Sequence, residues 1–141
     1  MHVLITGAAG FLGRALAQRL LPGSLLGDRA VTRLTLMDLA LEGQAPDGVR
    51  HCEGDMGHAD WLRDALNEGP PIDALFHLAS IPGGTAEQNY PLSRRVNLEA
   101  TQTLLEHGQQ QASRGQPAPV FVFASSIAVF GHMPAVVDDD T

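Results

Sequence analysis

Three glycines and one aspartate carry the first chemical signal in this chain. Gly7, Gly10 and Gly13 lie in VLITGAAGFLG, residues 3–13, an apolar run that breaks into small residues and resumes with helical spacing. A strand that turns directly into a helix gathers backbone N–H groups and the positive end of the helix dipole at one point, which favours an anion such as pyrophosphate. There Gly7 supplies a sharp turn, Gly10 lets phosphates reach the backbone, and Gly13 lets the helix pack close to the strand. The spacing is GxxGxxG rather than the GxGxxG of the common dehydrogenase form. An ordinary turn of small residues is the plain alternative. The motif's place, after a strand, opening a helix, at the head of the chain, weighs against it. Asp38 ends the next apolar run, 25 positions beyond Gly13. A carboxylate there accepts hydrogen bonds from adenosine ribose hydroxyls and repels a 2′-phosphate, pointing to NAD over NADP. A solvated turn aspartate is the alternative, and Arg33 opens that run rather than ending it.

These residues need a scaffold, and the chain alternates short apolar runs with helical stretches. That is the pattern of an α/β domain with a parallel sheet. Strands are predicted at Val3–Thr6, Arg33–Asp38, Val49–Asp55, Asp73–Ala79 and Val120–Ser126. Their apolar runs lack alternation, as in strands buried on both faces. Helices are predicted from about Phe11 to Leu21, at 61–66, and from about Pro91 to Gln110. In the first, Leu12, Leu16 and Leu20 mark a face toward the sheet, and Pro22 and Gly23 stop it. In the last, Val96, Ala100 and Leu104 are the buried side. A loop holding Pro82, Gly83 and Gly84 follows the fourth strand, where a substrate's polar end would be met. Right-handed crossovers then give a Rossmann-type doubly wound parallel sheet of order 3-2-1-4-5, truncated after about its fifth strand, with residues 1–141 forming one domain. A ligand is expected at the carboxyl ends of strands 1 and 4, where strand order reverses.

Composition narrows the function classes. The 141 residues are 44% hydrophobic and carry a net charge of -7, with a pI near 5.1. An acidic chain of this kind lacks the basic surface that nucleic acid requires. No apolar stretch reaches the roughly 18–20 residues of a membrane helix, and the start MHVLITG does not read as a signal peptide. One cysteine, Cys52, excludes an internal disulfide and suits a cytoplasmic, reducing setting. His51, Cys52, Glu53, Asp55 and His58 cluster in HCEGDMGH, but strand alternation separates them and their spacing fits no common zinc site. Asp138–Asp140 lacks the spaced pattern of a calcium loop and reads as a solvated loop. No metal is expected. His77 reads as structural, as does His132, which borders the active-site loop.

Four segments, TGAAGFLG at 6–13, GDM at 54–56, FHLAS at 76–80 and FASSIAVFG at 123–131, resemble in order and spacing the extended short-chain dehydrogenase/reductase family of NAD-dependent sugar epimerases and dehydratases. Within it, PAVVDDDT at 134–141 together with SSIAVFG is most similar to members that oxidise a sugar acid such as D-erythronate. The resemblance implies backbone donors to the pyrophosphate at Phe11 and Leu12, and an adenine-holding pair at Asp55 and Met56. It implies that Leu78, Ala79 and Ser80 run beneath the cofactor, that Asn97 in RRVNLEAT contacts it, and that Ser126 is the catalytic serine. Ser125 would point to the opposite side. Ala100 stands where the family often has glycine. Each assignment has a plain alternative: a helix cap for Asp55, a surface helix position for Asn97, a strand-end pair for the serines.

The family's chemistry also uses a tyrosine and a lysine four residues later on one helix, the lysine charge lowering the tyrosine's pKa for proton exchange with a substrate hydroxyl. All nine basic residues here are arginines, there is no lysine, and Tyr90 is the single tyrosine. The sequence is therefore expected to be the NAD-binding N-terminal part of a longer enzyme, itself inactive. That enzyme would oxidise a secondary hydroxyl of a sugar acid. Alternatively it would be a nucleotide-sugar epimerase or dehydratase, or a nucleotide-binding sensor without chemistry. The resemblance implies dimerisation through a helix pair, and the oligomeric state is left open.

Overall fold

The computed structural model describes residues 1–126. The expectations for His132, Asp138–Asp140 and the part of FASSIAVFG past Ser126 lie outside the described residues. Five parallel strands build the main sheet: β1 (His2–Thr6), β4 (Arg33–Asp38), β5 (Val49–Glu53), β6 (Ala74–His77) and β7 (Val120–Phe123). Their order is β5-β4-β1-β6-β7, the predicted 3-2-1-4-5. Thr6 lies opposite Met37 on one side and His77 on the other, so the ends of β1, β4 and β6 emerge together. β2 (Leu25–Leu26) and β3 (Arg29–Ala30) form a small antiparallel hairpin between α1 (Phe11–Arg19) and β4.

The central strands β1, β4 and β6 are covered on both faces and read as unbroken apolar runs, whereas the apolar edge strand β7 is largely exposed, with Val120, Val122 and Phe123 open to solvent. Leu4, Met37, Cys52 and Leu75 face one layer, packing with Leu62 and Leu66 of α2 (Ala59–Asn67) and Leu104 of α5 (Ala100–Ser113). Val3, Ile5, Leu34 and Ala74 face the other, against Ala17 and Leu20. The end of the sheet away from the turns is pinned by side chains. Asp73 Oδ2 accepts the His2 N–H at 2.7 Å, and the Gln111 amide brackets Ile72 with two bonds of 2.8 Å.

Three local expectations change. Leu12 does not face the sheet; it is 62% exposed, while Gly13 and Ala17 are buried. The helix lies so close to the strand at Gly13 that the contact stripe centres there and turns Leu12 outward. The segment at Gly83 and Gly84 is not a loop but opens α3 (Gly83–Gln88), with α4 (Tyr90–Ser93) next. The long helix is not uniform: residues Arg94–Glu99 form a π-helical turn that leads into α5, with Val96, Ala100 and Leu104 buried as predicted.

Candidate functional site

A cleft of about 480 Å³ opens at the carboxyl ends of the central strands. Gly7, Ala9 and Gly10 line it from the β1–α1 turn, and Asp38 and Leu39 from the end of β4. Gly54, Asp55 and Met56 come from the segment after β5, Leu78 to Ile81 from that after β6, and Leu92 and Val96 from the helical stretch beyond. This is the position where strand order reverses, the general ligand position of open α/β sheets.

The glycine turn has the geometry its sequence requires. Gly7 has φ of +69°, and a Cβ on it would stand 2.7 Å from Ala79 N. No side chain fits between these two loops. A Cβ on Gly13 would lie 2.1 Å from Gly7 O, so the helix seats directly on the turn. Gly10 lines the cleft, and a Cβ on it would stand 3.2 Å from Gly7 O. The first helical hydrogen bond runs from Arg14 N–H to Gly10 O at 2.9 Å. The N–H groups of Phe11, Leu12 and Gly13 precede it and have no acceptor within the helix. Phe11 and Leu12 hold their side chains outward, 89% and 62% exposed.

Asp38 is organised by this turn. Its Oδ2 accepts the Ala9 N–H at 2.9 Å and its Oδ1 the Leu39 N–H at 2.8 Å. Each oxygen can accept more than one hydrogen bond, so the carboxylate is oriented without being used up. Asp55 accepts the Gly57 N–H at 2.8 Å and shapes the turn into α2, while Met56 is buried beside it. The Asn97 amide spends both its polar atoms on one backbone residue, accepting Ile81 N–H at 2.7 Å and donating to Ile81 O at 3.0 Å.

His77 ties these loops together. Its Nδ1 lies 2.7 Å from Thr6 Oγ1 and its Nε2 2.8 Å from Thr101 Oγ1, and the residue is buried. Thr101 donates its hydroxyl proton to Asn97 O, so it can only accept from His77 Nε2–H. Nδ1 must then accept from Thr6, whose oxygen accepts the Ala79 N–H at 3.3 Å. Every group is satisfied by one neutral tautomer. Burial lowers the His77 pKa to about 4, so the relay holds at neutral pH.

Of the residues singled out from sequence, Gly7, Gly10, Asp38, Asp55, Met56, Leu78, Ala79 and Ser80 line one cleft. Phe11, Leu12 and Gly13 form the helix start at its edge. Asn97 holds Ile81, which lines the cleft. Ser126 follows β7 at the same end of the sheet, exposed and outside the lining. Ala9, Leu39, Gly54, Ile81, Leu92 and Val96 were missed, Ala9 and Gly54 lying inside the motifs without an assigned role. Leu39 and Ile81 were findable as the residues next to Asp38 and Ser80 at the sheet's carboxyl end. Cys52 points into the core and Glu53 accepts the Leu41 N–H, so the acidic and sulfur groups of HCEGDMGH diverge. Among the described residues no group of three or more His, Cys, Asp or Glu is placed to hold a metal, and no helix is long and apolar enough to cross a membrane.

Bare amides at a helix start, a side-chain-free turn, an oriented carboxylate and apolar walls fit a dinucleotide. Comparison with known proteins agrees. Residues 3–141 match the NAD dependent epimerase/dehydratase family, whose cofactor is NAD. D-erythronate dehydrogenase of Cupriavidus necator is 43% identical over the whole of this chain, which corresponds to 44% of that protein. A crystal structure of a nucleoside-diphosphate-sugar epimerase from Agrobacterium tumefaciens aligns with TM-score 0.77 at 38% identity, covering 93% of this chain and 39% of that one. A mutant uronate dehydrogenase from the same organism, complexed with NAD, aligns with TM-score 0.70 at 27% identity, covering 94% and 43%. The chain thus spans less than half the length of these relatives.

Proposed function

The chain belongs to the NAD dependent epimerase/dehydratase family, and we propose that it forms the cofactor-holding part of an oxidoreductase that removes hydrogen from a secondary hydroxyl of a sugar acid such as D-erythronate. The observation that carries this reading is the glycine-lined cleft with Asp38 at its ribose end. The identity to a D-erythronate dehydrogenase over the full length of the chain supports the substrate class. When bound, NAD supplies the hydride acceptor.

In this reading the chain's own residues bind and orient. The Phe11 and Leu12 N–H groups and the helix dipole face the diphosphate, and Asp38 accepts from the ribose hydroxyls. Asp55 and Met56 hold adenine, and Leu78 to Ser80 lie beneath the dinucleotide. Asn97 acts on it through Ile81, whose backbone it fixes. Ser126 hydrogen-bonds the reacting oxygen. The tyrosine–lysine pair that would take the hydroxyl proton is not among this chain's residues, which include no lysine.

The test is a spectrophotometric assay of the protein from the complete gene with NAD and four-carbon sugar acids. NADH absorbance at 340 nm is expected (order of magnitude of turnover about 1–10³ per second), and none with any such acid removes the substrate assignment. A nucleotide-sugar epimerase is the second reading, favoured by the 38% identical Agrobacterium structure. It predicts NAD that co-purifies and turnover of a nucleotide sugar without net NADH. A sensor without chemistry would lack Tyr-x-x-x-Lys in the gene beyond Thr141.

A further inference from the structure

Residues 78–81 line the cleft beside the glycine turn, and one buried residue joins the side chains that hold them at either end. At the near end Leu78 N–H donates to Thr6 O at 3.2 Å and Ala79 N–H to Thr6 Oγ1 at 3.3 Å, both long for such bonds. At the far end the Asn97 amide brackets Ile81. His77 stands between these anchors, 2.7 Å from Thr6 Oγ1 and 2.8 Å from Thr101 Oγ1, and Thr101 donates to Asn97 O. The approach to the turn is close: a Cβ on Gly7 would lie 2.8 Å from Leu78 C and 2.9 Å from Ala79 Cα. Residues 78–81 therefore have no room to move toward the turn, and their anchors decide how far away they sit. Folding alone does not ask for polar groups here. Replacing both members of a buried hydrogen-bonded pair with apolar groups of the same shape is close to neutral for stability. The Phe121 and Phe123 rings already pack against His77, with centroids 6.1 and 5.6 Å away. What the imidazole adds is a single arrangement, because a fully satisfied polar network fixes its members relative to one another.

We propose that His77 is a positioning residue for the cofactor: through Thr6 and Thr101 it sets residues 78–81 at the distance from the glycine turn that a bound dinucleotide needs. The inference rests on the dinucleotide reading of the cleft. His77 is not itself in the cleft lining; it acts through the backbone of Ala79 and Ile81, which are. The bond to Thr101 has the longer reach. It ties the end of β6 to the helical stretch that holds Asn97, so the two anchors of residues 78–81 cannot shift independently.

The experiment measures NAD affinity by calorimetry and stability by denaturant titration on the protein from the complete gene. Its forms are unaltered, His77→Asn, Thr101→Val, these two together, and Thr101→Ser. Asparagine keeps an oxygen near the place of Nδ1 for the Thr6 hydroxyl and loses the reach to Thr101. Valine keeps the shape of threonine without its hydroxyl, and serine keeps the hydroxyl. NAD affinity should fall about tenfold in H77N and in T101V, as the loss of one oriented hydrogen bond allows. The double form should bind within about threefold of either single form, and T101S within about threefold of the unaltered protein. Losses that multiply to about a hundredfold overturn the proposal, since the two residues then act apart. So does full NAD affinity in folded H77N and T101V, a loss of stability alone marking a merely structural role. Should H77N fail to fold, the Thr101 forms decide: T101V binding like the unaltered protein, or T101S losing as much as T101V, sinks it. If the unaltered protein binds NAD and only these shifts are absent, the inference fails alone; if it binds no NAD, the reading of the cleft fails with it.

Discussion

At the level of single residues, the glycines act through contacts that a side chain would make impossible. A Cβ at position 13 would stand 2.1 Å from Gly7 O, and backbone cannot yield as a flexible side chain can. Gly13→Ala is expected to push α1 off the turn, costing about 1–3 kcal/mol as overpacking does. Thermal unfolding and NAD titration should both register it, and an unchanged melting temperature would contradict the packing described. Gly54 is comparable: a Cβ there would meet the Trp61 indole at 2.2 Å. The sequence made Gly7, Gly13 and Asp38 legible because their roles follow from a local motif. It did not make legible that Asp38 grips Ala9 or that Asn97 grips Ile81. Those bonds join side chains to loop backbone far away in sequence, and no periodicity encodes them. Asn97→Ala would strand both polar groups of Ile81, which are only partly buried, at a cost of about 1–3 kcal/mol for each one left dry. NAD affinity should fall with it. A variant with full affinity and stability would show that the Ile81 segment is held by something else.

Among the elements, the five principal strands were readable as long apolar runs, which burial on both faces explains for β1, β4 and β6, and their order was readable because parallel crossovers have one hand. The hairpin at Leu25–Ala30 was not, since two-residue strands are too short to show alternation. α3 was not either: two glycines and a proline speak for a turn, and only the tertiary setting makes Gly83 a helix start. His77 is the element-level joint, linking β1, β6 and α5 through Thr6 and Thr101. Burial lowers its pKa to about 4, against an ordinary 6.5, so the unfolded chain takes up a proton at a pH where the folded protein does not. The contribution of His77 to stability should therefore fall as pH drops from about 6.5 to about 4 and level off below, amounting to about 3 kcal/mol at most. His2 and His107, both lowered chiefly by burial, act with the same sign. His77→Gln should make the slope of unfolding free energy against pH shallower in that window. Denaturant titrations at a series of pH values would measure it, and an unaltered slope would mean that His77 is not neutral in the folded state.

For the whole molecule, the division of labour between its two ends decides what binding can do. The end away from the cleft is pinned by Asp73 and Gln111, and the cleft end is made of turns held by side-chain bonds to Ala9, Gly57 and Ile81. A dinucleotide that engages the turns after β1, β4, β5 and β6 at once adds a further link across segments that Asp38, Asn97 and His77 already join in part. It should therefore raise the stability of the protein by mass action, about 2.7 kcal/mol at a concentration 100 times its dissociation constant, and protect the amides of those turns from hydrogen exchange. The chain expressed as residues 1–141 has Asp38 and the glycine turn but no lysine for proton transfer. It should show that protection with NAD, at a higher concentration than the protein from the complete gene requires, while producing no NADH from any sugar acid. Protection confined to the sheet's locked end, or none at saturating NAD in either protein, would place the cofactor elsewhere.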